Sequence, residues 1–522
     1  MKKILLSIIC VGVYLVCNSQ SVKPAPHIDI TSYDSHIVLS WRGDTAAARY
    51  LIYINDTYPI DTVREPYYIH FPYRRTVPPY VVRAVDSRGE ELWSATSEKS
   101  RLRPSSDEEL MDMVERHTSD YFIDYAHSAS GMAREGSEKD SSMVTIGGSG
   151  MGVMVIIAAA YREWIERDDA YRRVSRIVAF LSRVERFYGM WAHWYDGDTG
   201  DVIPFSPQDD GGDVVESALM MQGLLCARAY FDKDEEKGLR DSITTLWEDM
   251  DWRFYTRGEK VLYWHYSPRC GFEMNMPIKG YNEALIAYIL AASSPTYAID
   301  DDVYHDGWAS WSRERFGAYT EYYGMMLPLG EERYLGGPLF FAHYSFLGLC
   351  PVGLRDRYAM YWEQNVRHTL INRAYCIDNP YDWEGYGENL WGITACYGVP
   401  DGYMAYMPGY WFDRGVIAPT AAVSSMPYSP RYSIAVLKNL YRNYGEQVYG
   451  RYGFYDALKI ENGDMRVRKE YLSIDQGPQV VMIENHRTGL LWKLFMSDKD
   501  VARGLSLLGF TIDEKKKDNN SK

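Results

Sequence analysis

The chain of 522 residues is poor in cysteine, in positive charge and in long apolar runs. Of its 7 cysteines, Cys10 and Cys17 lie near the start, and Cys226, Cys270, Cys350, Cys376 and Cys396 are spread over the remainder. An odd number past the leader leaves at least one thiol unpaired, so no disulfide framework is expected. Lys and Arg total 56 against 71 Asp and Glu, a net charge of −15. Nucleic acids and anionic membrane surfaces both select basic patches, so neither is an expected partner, and a neutral ligand fits better. Beyond the first residues no stretch is long and apolar enough to span a membrane. There is no HExxH, no metal-spaced Cys/His pair, no Walker-type phosphate loop and no GxSxG. The GGSGMG cluster at Gly147 to Gly152 matches neither a nucleophile elbow nor a dinucleotide fingerprint, and reads as close packing at a helix start.

Two domains are expected from the length. Met1 to Ser19 has the pattern of a secretory signal: Lys2 and Lys3, an apolar run from Ile4 to Val16, then small residues before Gln20. Cleavage after Ser19 and a periplasmic location follow as expectations. Lipidation of Cys17 as an outer-membrane lipoprotein is the alternative, although Leu15 and Val16 make a poor lipobox. Residues 24–103 carry short alternating runs such as IVLSW, YLIYIN and PYVVRAV, with Asp86-Ser87-Arg88-Gly89 as a hairpin turn. They predict a small β-sandwich resembling a fibronectin type III module, with a spacer role. A linker at Arg101 to Ser106 follows.

From residue 105 to 512 the pattern is helical and alternates in character. Amphipathic segments (107–126, 167–188, 234–252, 300–316, 354–374, 430–444) alternate with segments apolar on nearly every side (150–161, 213–231, 281–293, 338–349, 416–425, 479–495). A helix apolar all round is buried, and one with a polar stripe lies outside. Six outer and six inner helices describe an (α/α)6 barrel, with residues 513–522 as a charged, disordered tail. Links from outer to inner helices are long and rich in Gly, acids and aromatics, so six loops gather at one end. Such loops are functional when they are too aromatic to be disordered. The inner helices point their N-termini at that end.

The loop leading into Glu216, HWYDGDTGDVIPFSPQDDGG, holds Asp196, Asp198, Asp201, Asp209 and Asp210 and no Lys or Arg. Carboxylates among Trp191, Trp194 and Tyr195 suit a polyhydroxylated neutral ligand, because acids accept hydroxyl hydrogen bonds and rings cover sugar faces. Asp-x-Asp spacing also suits calcium, as the less favoured reading. Glu216 begins an apolar helix, so burial would hold its carboxyl protonated near neutral pH, as a general acid requires. Asp213 and Glu216 are equally spaced for a capping box, which would make both structural. Two further loops repeat the chemistry, one with Trp264, His265, Glu273, Tyr281, Asn282 and Glu283, the other with Trp383, Glu384, Glu388, Trp391, Asp401 and Tyr403.

The strings YFIDYAHSASGMARE, DDGGDVVESALMMQGLL, GGPLFFAHYSFLG, WEGYGENLWGITA and YLSIDQGPQVVMIENHRTGLLW resemble, in order, the bacterial glucoamylase-like proteins of glycoside hydrolase family 144, whose characterised members hydrolyse β-1,2-glucans. The resemblance implies an (α/α)6 barrel, hydrolysis with inversion, and no cofactor. It implies Glu216 as general acid, and Asp124, Glu135, Asp209, Asp210, Glu273, Glu388 and His343 as site residues. For the base, relatives carry an acid just after WGITA, where this chain has Cys396 and Tyr397. Asp401 is the nearest carboxylate in that loop and the expected base, with Asp140 as the alternative. The expected partner is a neutral β-glucan and the expected state a monomer. Two rival readings are a glycan-binding protein that has lost catalysis and a polysaccharide lyase; a lyase needs Arg or Lys against a uronate, which the acidic loop before Glu216 lacks.

Overall fold

The computed structural model describes residues 25–55, 57–137, 142–310, 320–330 and 335–513. The expected leader with Cys17, Asp140 and residues 514–522 of the expected tail lie outside the described residues. The chain divides into two compact units between Pro104 and Ser105.

The first unit holds β1 (Ile28–Ser32), β2 (Ile37–Trp41), β3 (Arg49–Ile54), β4 (Pro59–Val63), β5 (Tyr67–His70), β6 (Thr76–Val77), β7 (Tyr80–Val85), β8 (Glu91–Thr96) and β9 (Ser100–Arg101). They form antiparallel sheets in the orders β1-β2-β5 and β4-β3-β7-β8, with a small β6-β9 pair. Side chains alternate across a strand, so Ile37, Leu39 and Trp41 from β2 and Tyr80, Val82 and Ala84 from β7 enter one core, with Tyr50 and Trp93. Gly89, at φ +86°, closes the β7 to β8 turn by donating its N–H to the Asp86 carbonyl.

In the second unit the main helices are α1 (Asp107–Ile123), α2 (Ile146–Tyr161), α3 (Arg167–Arg183), α4 (Val214–Tyr230), α5 (Lys237–Glu248), α6 (Leu285–Ser293), α7 (Tyr361–Asp378), α8 (Pro419–Ser424), α9 (Pro430–Val448), α10 (Ser473–Arg487), α11 (Leu490–Met496) and α12 (Lys499–Leu507). Every residue of α2 from Ile146 to Ala160 and of α4 from Val214 to Ala227 is buried, as are all of α6 and α8. α1, α3, α5 and α9 bury one stripe only. α2 packs between α4 and α10, α4 against α6, and α8 against α10; α1 and α3 cover α2 from outside.

The α2 to α4 contact explains the glycine cluster. A β-carbon on Gly150 would lie 2.5 Å from Met220 Cα, and one on Gly223 would meet the backbone of Gly150. Only hydrogen at these positions lets the two helices approach.

Three predicted inner helices differ. Residues 338–349 form two short 3-10 turns, Leu339–Ala342 and Tyr344–Phe346. Their carbonyls are taken by side chains of other helices instead of an internal ladder: Gln222 Nε2 donates to Tyr344 O (3.1 Å), Trp492 Nε1 to Phe346 O (2.8 Å) and Asn485 Nδ2 to Leu347 O (2.8 Å). The segment expected at 479–495 begins earlier, at Ser473, and breaks at Gly489, whose φ of +68° separates α10 from α11. α8 shortens to six residues behind Pro419 at its first position. Of the expected outer helix at 300–316, the described part is helical over 301–310, with a π-helical segment at Val303–Trp308.

Candidate active site

Glu216 is the third residue of α4, and its hydrogen bonds separate the two sequence readings. Asp213 is the N-cap, its Oδ1 accepting from the N–H groups of Val215 and Glu216 at 2.9 Å each. A capping box also needs the Asp213 N–H to donate to Glu216. That N–H donates instead to the Trp191 carbonyl at 2.8 Å. Glu216 is therefore free of the cap, and its Oε2 accepts from the Gly147 N–H at the start of α2, at 2.6 Å. The residue is 8% exposed. Burial raises its pKa to about 7; Asp213 and Glu135 push the same way, while His193 and the Gly147 N–H pull back.

Imidazoles and carboxylates alternate behind this acid. His193 reaches Glu216 Oε1 at 4.0 Å through Nε2 and Asp213 Oδ2 at 3.3 Å through Nδ1. Burial pulls its pKa down, but Glu216 and Asp213 outweigh burial and hold the ring above its ordinary range. His265 Nδ1 lies 3.2 Å from Asp209 Oδ1 and 3.6 Å from Asp213 Oδ2. His193, Asp209 and Asp213 each present a ligand atom within 4.8 Å of the others, a spacing that a cation could bridge. Asp213 Oδ1 is committed to the helix start, and its Oδ2 faces both imidazoles. The set therefore closes on itself as an ion-pair network that positions Glu216.

A second acid occupies the same place on a neighbouring helix. Asp475 is the third residue of α10, 4% exposed, and lies beside Asp456, which is fully buried. Burial, reinforced by Asp456 and Glu135, raises Asp475 well above the carboxylate range; burial also raises Asp456, to about 6. The Tyr397 N–H donates to Asp456 Oδ2 at 2.7 Å, and the Tyr344 hydroxyl to Asp475 Oδ1 at 3.5 Å. Asp475 lines a small, water-sized pocket with Phe340, His343, Tyr344, Thr394, Thr420 and Ser424. The start of α2 stands between the two acids, Gly147 abutting Glu216 and Gly148 abutting Ser473. Glu135, 6% exposed, acts electrostatically on both Glu216 and Asp475. Glu283 is half-buried, and burial, with Asp213 and Glu216 nearby, raises it to about 7.

The remaining expected site residues are distributed unevenly. Trp194 meets Phe205 in a tilted contact at 4.8 Å, and Phe205 in turn lies tilted over His193 at 4.6 Å while 52% exposed, a platform absent from the sequence reading. Trp264 stacks on His265 at 5.9 Å. Tyr281 directs its hydroxyl to Asn365 and His368, and Asn282 accepts from the Ala284 N–H at the start of α6. His343 is buried and bonded to Ser425. Asp210 is tied to Arg269 of the next loop, and Ser267 and Arg269 together hold its carboxyl below the ordinary range against the effect of burial. Asp124 is exposed and paired with Arg451, and Glu273 and Glu388 are exposed. Asp401 is exposed at the turn between the strands Ala395–Tyr397 and Tyr403–Ala405, whose Tyr397 and Tyr403 rings pack at 5.5 Å. Trp391 is a correction: it is fully buried in the core and has no face to offer a ligand. The Asp196 to Asp198 spacing is explained by a turn in which Asp196 Oδ1 accepts from the N–H groups of Asp198 and Thr199.

His193, Asp456, Asp475 and Tyr344 were not singled out from sequence. Asp475 carries the signal that marked Glu216, an acid in the first turn of an apolar helix; His193 and Asp456 carry none, because their partners are distant in the chain.

The Glycoamylase family profile matches residues 275–499. An exo β-1,2-glucooligosaccharide sophorohydrolase (non-reducing end) of Parabacteroides distasonis is 40% identical over 446 residues, 82% of this chain and 61% of the relative, so the chain spans less than two thirds of that protein. Among solved structures, an endo-β-1,2-glucanase from Chitinophaga pinensis, in complex with sophorotriose and glucose, is 48% identical with a TM-score of 0.74 over 78% of this chain and 99% of its own. A β-1,2-glucanase from Parabacteroides distasonis is 37% identical with a TM-score of 0.86 over 93% of this chain and 73% of its own. With the helical unit, these similarities show that the chain belongs to the glucoamylase-like family, of which these two β-1,2-glucanases are solved examples.

Proposed function

We propose that this protein is a glycoside hydrolase that cleaves β-1,2-glucan or its oligosaccharides with inversion, Glu216 acting as general acid. One observation carries the reading: a carboxyl released from its helix cap, buried, and raised to about 7, so that it holds a proton at neutral pH. Glu216 protonates the leaving glycosidic oxygen as the bond to the anomeric carbon breaks. Water attacks that carbon from the opposite face, and a second carboxylate takes its proton; inverting pairs stand about 6.5 to 9.5 Å apart to make room for the water. Asp401 is the base read from sequence. Phe205, Trp194 and Trp264 supply ring faces for the sugar, and Asp209, Asp210, Glu135 and Glu283 acceptors for its hydroxyls. The β-1,2 linkage is supported by the names of the relatives, an exo-acting sophorohydrolase and an endo-glucanase.

The same proposal takes the second unit as an (α/α)6 barrel, which the buried α2, α4, α6, α8 and α10 and the outer α1, α3, α5, α7 and α9 support. It takes the first unit as a fibronectin type III-like spacer, and Met1 to Ser19 as an export signal. The test is to incubate protein lacking Met1 to Ser19 with linear β-1,2-glucan and follow product size over time. Mixed early oligosaccharides mark internal cleavage, and a single disaccharide marks chain-end cleavage. Binding without any released sugar, on this glucan and on β-1,3, β-1,4 and β-1,6 glucans, overturns the hydrolase in favour of a glycan-binding protein.

A further inference from the structure

The segment between α7 and α8 carries an aromatic surface that the candidate site leaves unused. Of the tryptophans among the described residues only Trp411 is exposed, at 71%, and Tyr410 beside it is 68% exposed. Their rings meet edge to face at 4.9 Å, and the half-exposed Tyr381 meets Tyr410 at 5.9 Å, so the three rings form one contiguous surface. The backbone beneath them is fastened. The N–H groups of Phe412 and Asp413 donate to the Gly409 carbonyl at 3.2 and 3.0 Å, which closes a turn with Tyr410 and Trp411 at its apex. Asp413 is 4% exposed and accepts from the Tyr375 hydroxyl of α7 at 2.9 Å, the Tyr386 hydroxyl at 2.7 Å and the Gly415 N–H at 3.0 Å. The Tyr375 hydroxyl accepts in turn from the Gly409 N–H at 3.2 Å. Hydrogen bonds to an ionised acceptor are the strong ones, and this carboxylate ties both ends of the turn to α7 and to the Tyr386 loop. Two large rings are therefore held out in water by a turn that cannot fold them back. Contiguous apolar surface kept exposed in this way marks a place where something binds.

We propose that Tyr381, Tyr410 and Trp411 are a distal platform for the glucan chain, holding sugar residues beyond those that meet Glu216; this rests on the glucan-hydrolase reading above. The platform is rooted at the candidate site. Residues 395–418 leave from Thr394 and return to Thr420, both of which line the pocket with Asp475, and on the way Tyr397 bonds Asp456. A chain too long for that site therefore has the surface of this segment next to it. The chemistry fits the same ligand: ring faces cover the apolar C–H faces of a pyranose, while tyrosine hydroxyls and the indole N–H at the ring edges meet its hydroxyls. The inclination of the rings also selects among chains. Tyr410 stands at 78° to Trp411 and at 52° to Tyr381, which suits a chain whose successive residues turn; a flat ribbon such as a β-1,4 glucan would need rings close to parallel.

The test uses the chain without Met1 to Ser19 in a Glu216→Gln background, so that the ligand is not consumed, and titrates it calorimetrically with long linear β-1,2-glucan and with a β-1,2-linked trisaccharide. Adding Trp411→Ala is expected to weaken binding of the long chain about five- to tenfold and of the trisaccharide by less than about twofold, since loss of one ring face is a modest local effect. In the chain with Glu216 intact, the same substitution should raise KM for long glucan by a similar factor with kcat little changed. Tyr73→Ala, which removes a fully exposed ring from the first unit, serves as the control and should leave both affinities as they were. An unchanged affinity of Trp411→Ala for the long chain overturns the platform. So does equal weakening for the long chain and the trisaccharide, and so does an effect confined to sedimentation, a dimer becoming a monomer, which would make the surface a contact between two copies of this chain. If the Glu216→Gln chain binds no glucan and the intact chain releases no sugar, the hydrolase reading fails and the platform with it; where the parent chains bind or cleave, failure of Trp411→Ala to behave as expected counts against the platform alone.

Discussion

The Gly147 N–H donates to Glu216 Oε2 at 2.6 Å, and a β-carbon on Gly147 would stand 2.7 Å from that same oxygen. The acid and the start of the neighbouring helix are thus fitted to each other, and glycine is what keeps the carboxyl at its place. Gly147→Ala pushes the carboxyl off the amide while leaving both helices intact. The expected result is a loss of at least tenfold in kcat on β-1,2-glucan with a far-ultraviolet circular dichroism spectrum like that of the wild type. Unchanged kcat would show that the contact does not position the acid.

Glu216→Gln keeps the shape and removes the transferable proton. General acid catalysis contributes about 10²–10⁴-fold, and kcat should fall by that amount with KM little changed. An aryl glycoside whose leaving group needs no protonation should recover most of the rate, which a merely structural Glu216 would not allow.

The raised pKa of Glu216 sets the alkaline side of the activity profile. The active form is protonated, so kcat/KM should fall as pH rises through about 7. The same shift is a statement about stability. A carboxyl whose folded pKa lies above its unfolded value contributes stability that is fully present below the unfolded pKa and is lost as pH rises through the folded one. Glu216→Gln cannot charge, so its melting temperature relative to the wild type should rise between pH 5 and pH 8. A constant difference across that window would contradict the burial argument.

Gly150 and Gly223 mark the closest approach of α2 and α4. Gly150→Ala would set a methyl group against Met220 Cα and the Leu219 carbonyl, neither of which can rotate away. Overpacking of this kind costs about 1–3 kcal/mol, and chemical denaturation should read a loss of that size. Gly238→Ala, at a position open to solvent within α5, should leave stability unchanged or improve it.

Phe205 is half-exposed and lies tilted over His193, beside Glu216. If it carries a sugar face, Phe205→Ala should raise KM several-fold while kcat for short oligosaccharides changes less. Equal KM values would return the ring to a role in packing the loop.

What the chain determines by itself is its layering and its kinship. Uniformly apolar segments at Gly150 to Tyr161 and Asp213 to Phe231 had to be buried, and striped ones such as Arg167 to Tyr188 had to lie outside, because burying their charges would cost more than their apolar faces return. The family strings, read in order, pointed to the same relatives that the comparisons identify. The acid at Glu216 was visible as well, but as one of two readings. Local spacing allows both a capping box and a catalytic acid, and only the three-dimensional path of the chain, which brings Trp191 O to the Asp213 N–H and the Gly147 N–H to Glu216, decides between them. The same holds for exposure. Trp391 looked like a sugar platform in an aromatic loop, yet the fold buries it, whereas Phe205 went unnoticed and stands open. Asp456 and Asp475 are 19 residues apart, and nothing in either neighbourhood announces the other. They meet because a bend between two strands and a helix start carry two carboxyls into one buried site, and a contact of that kind is a property of the tertiary structure alone.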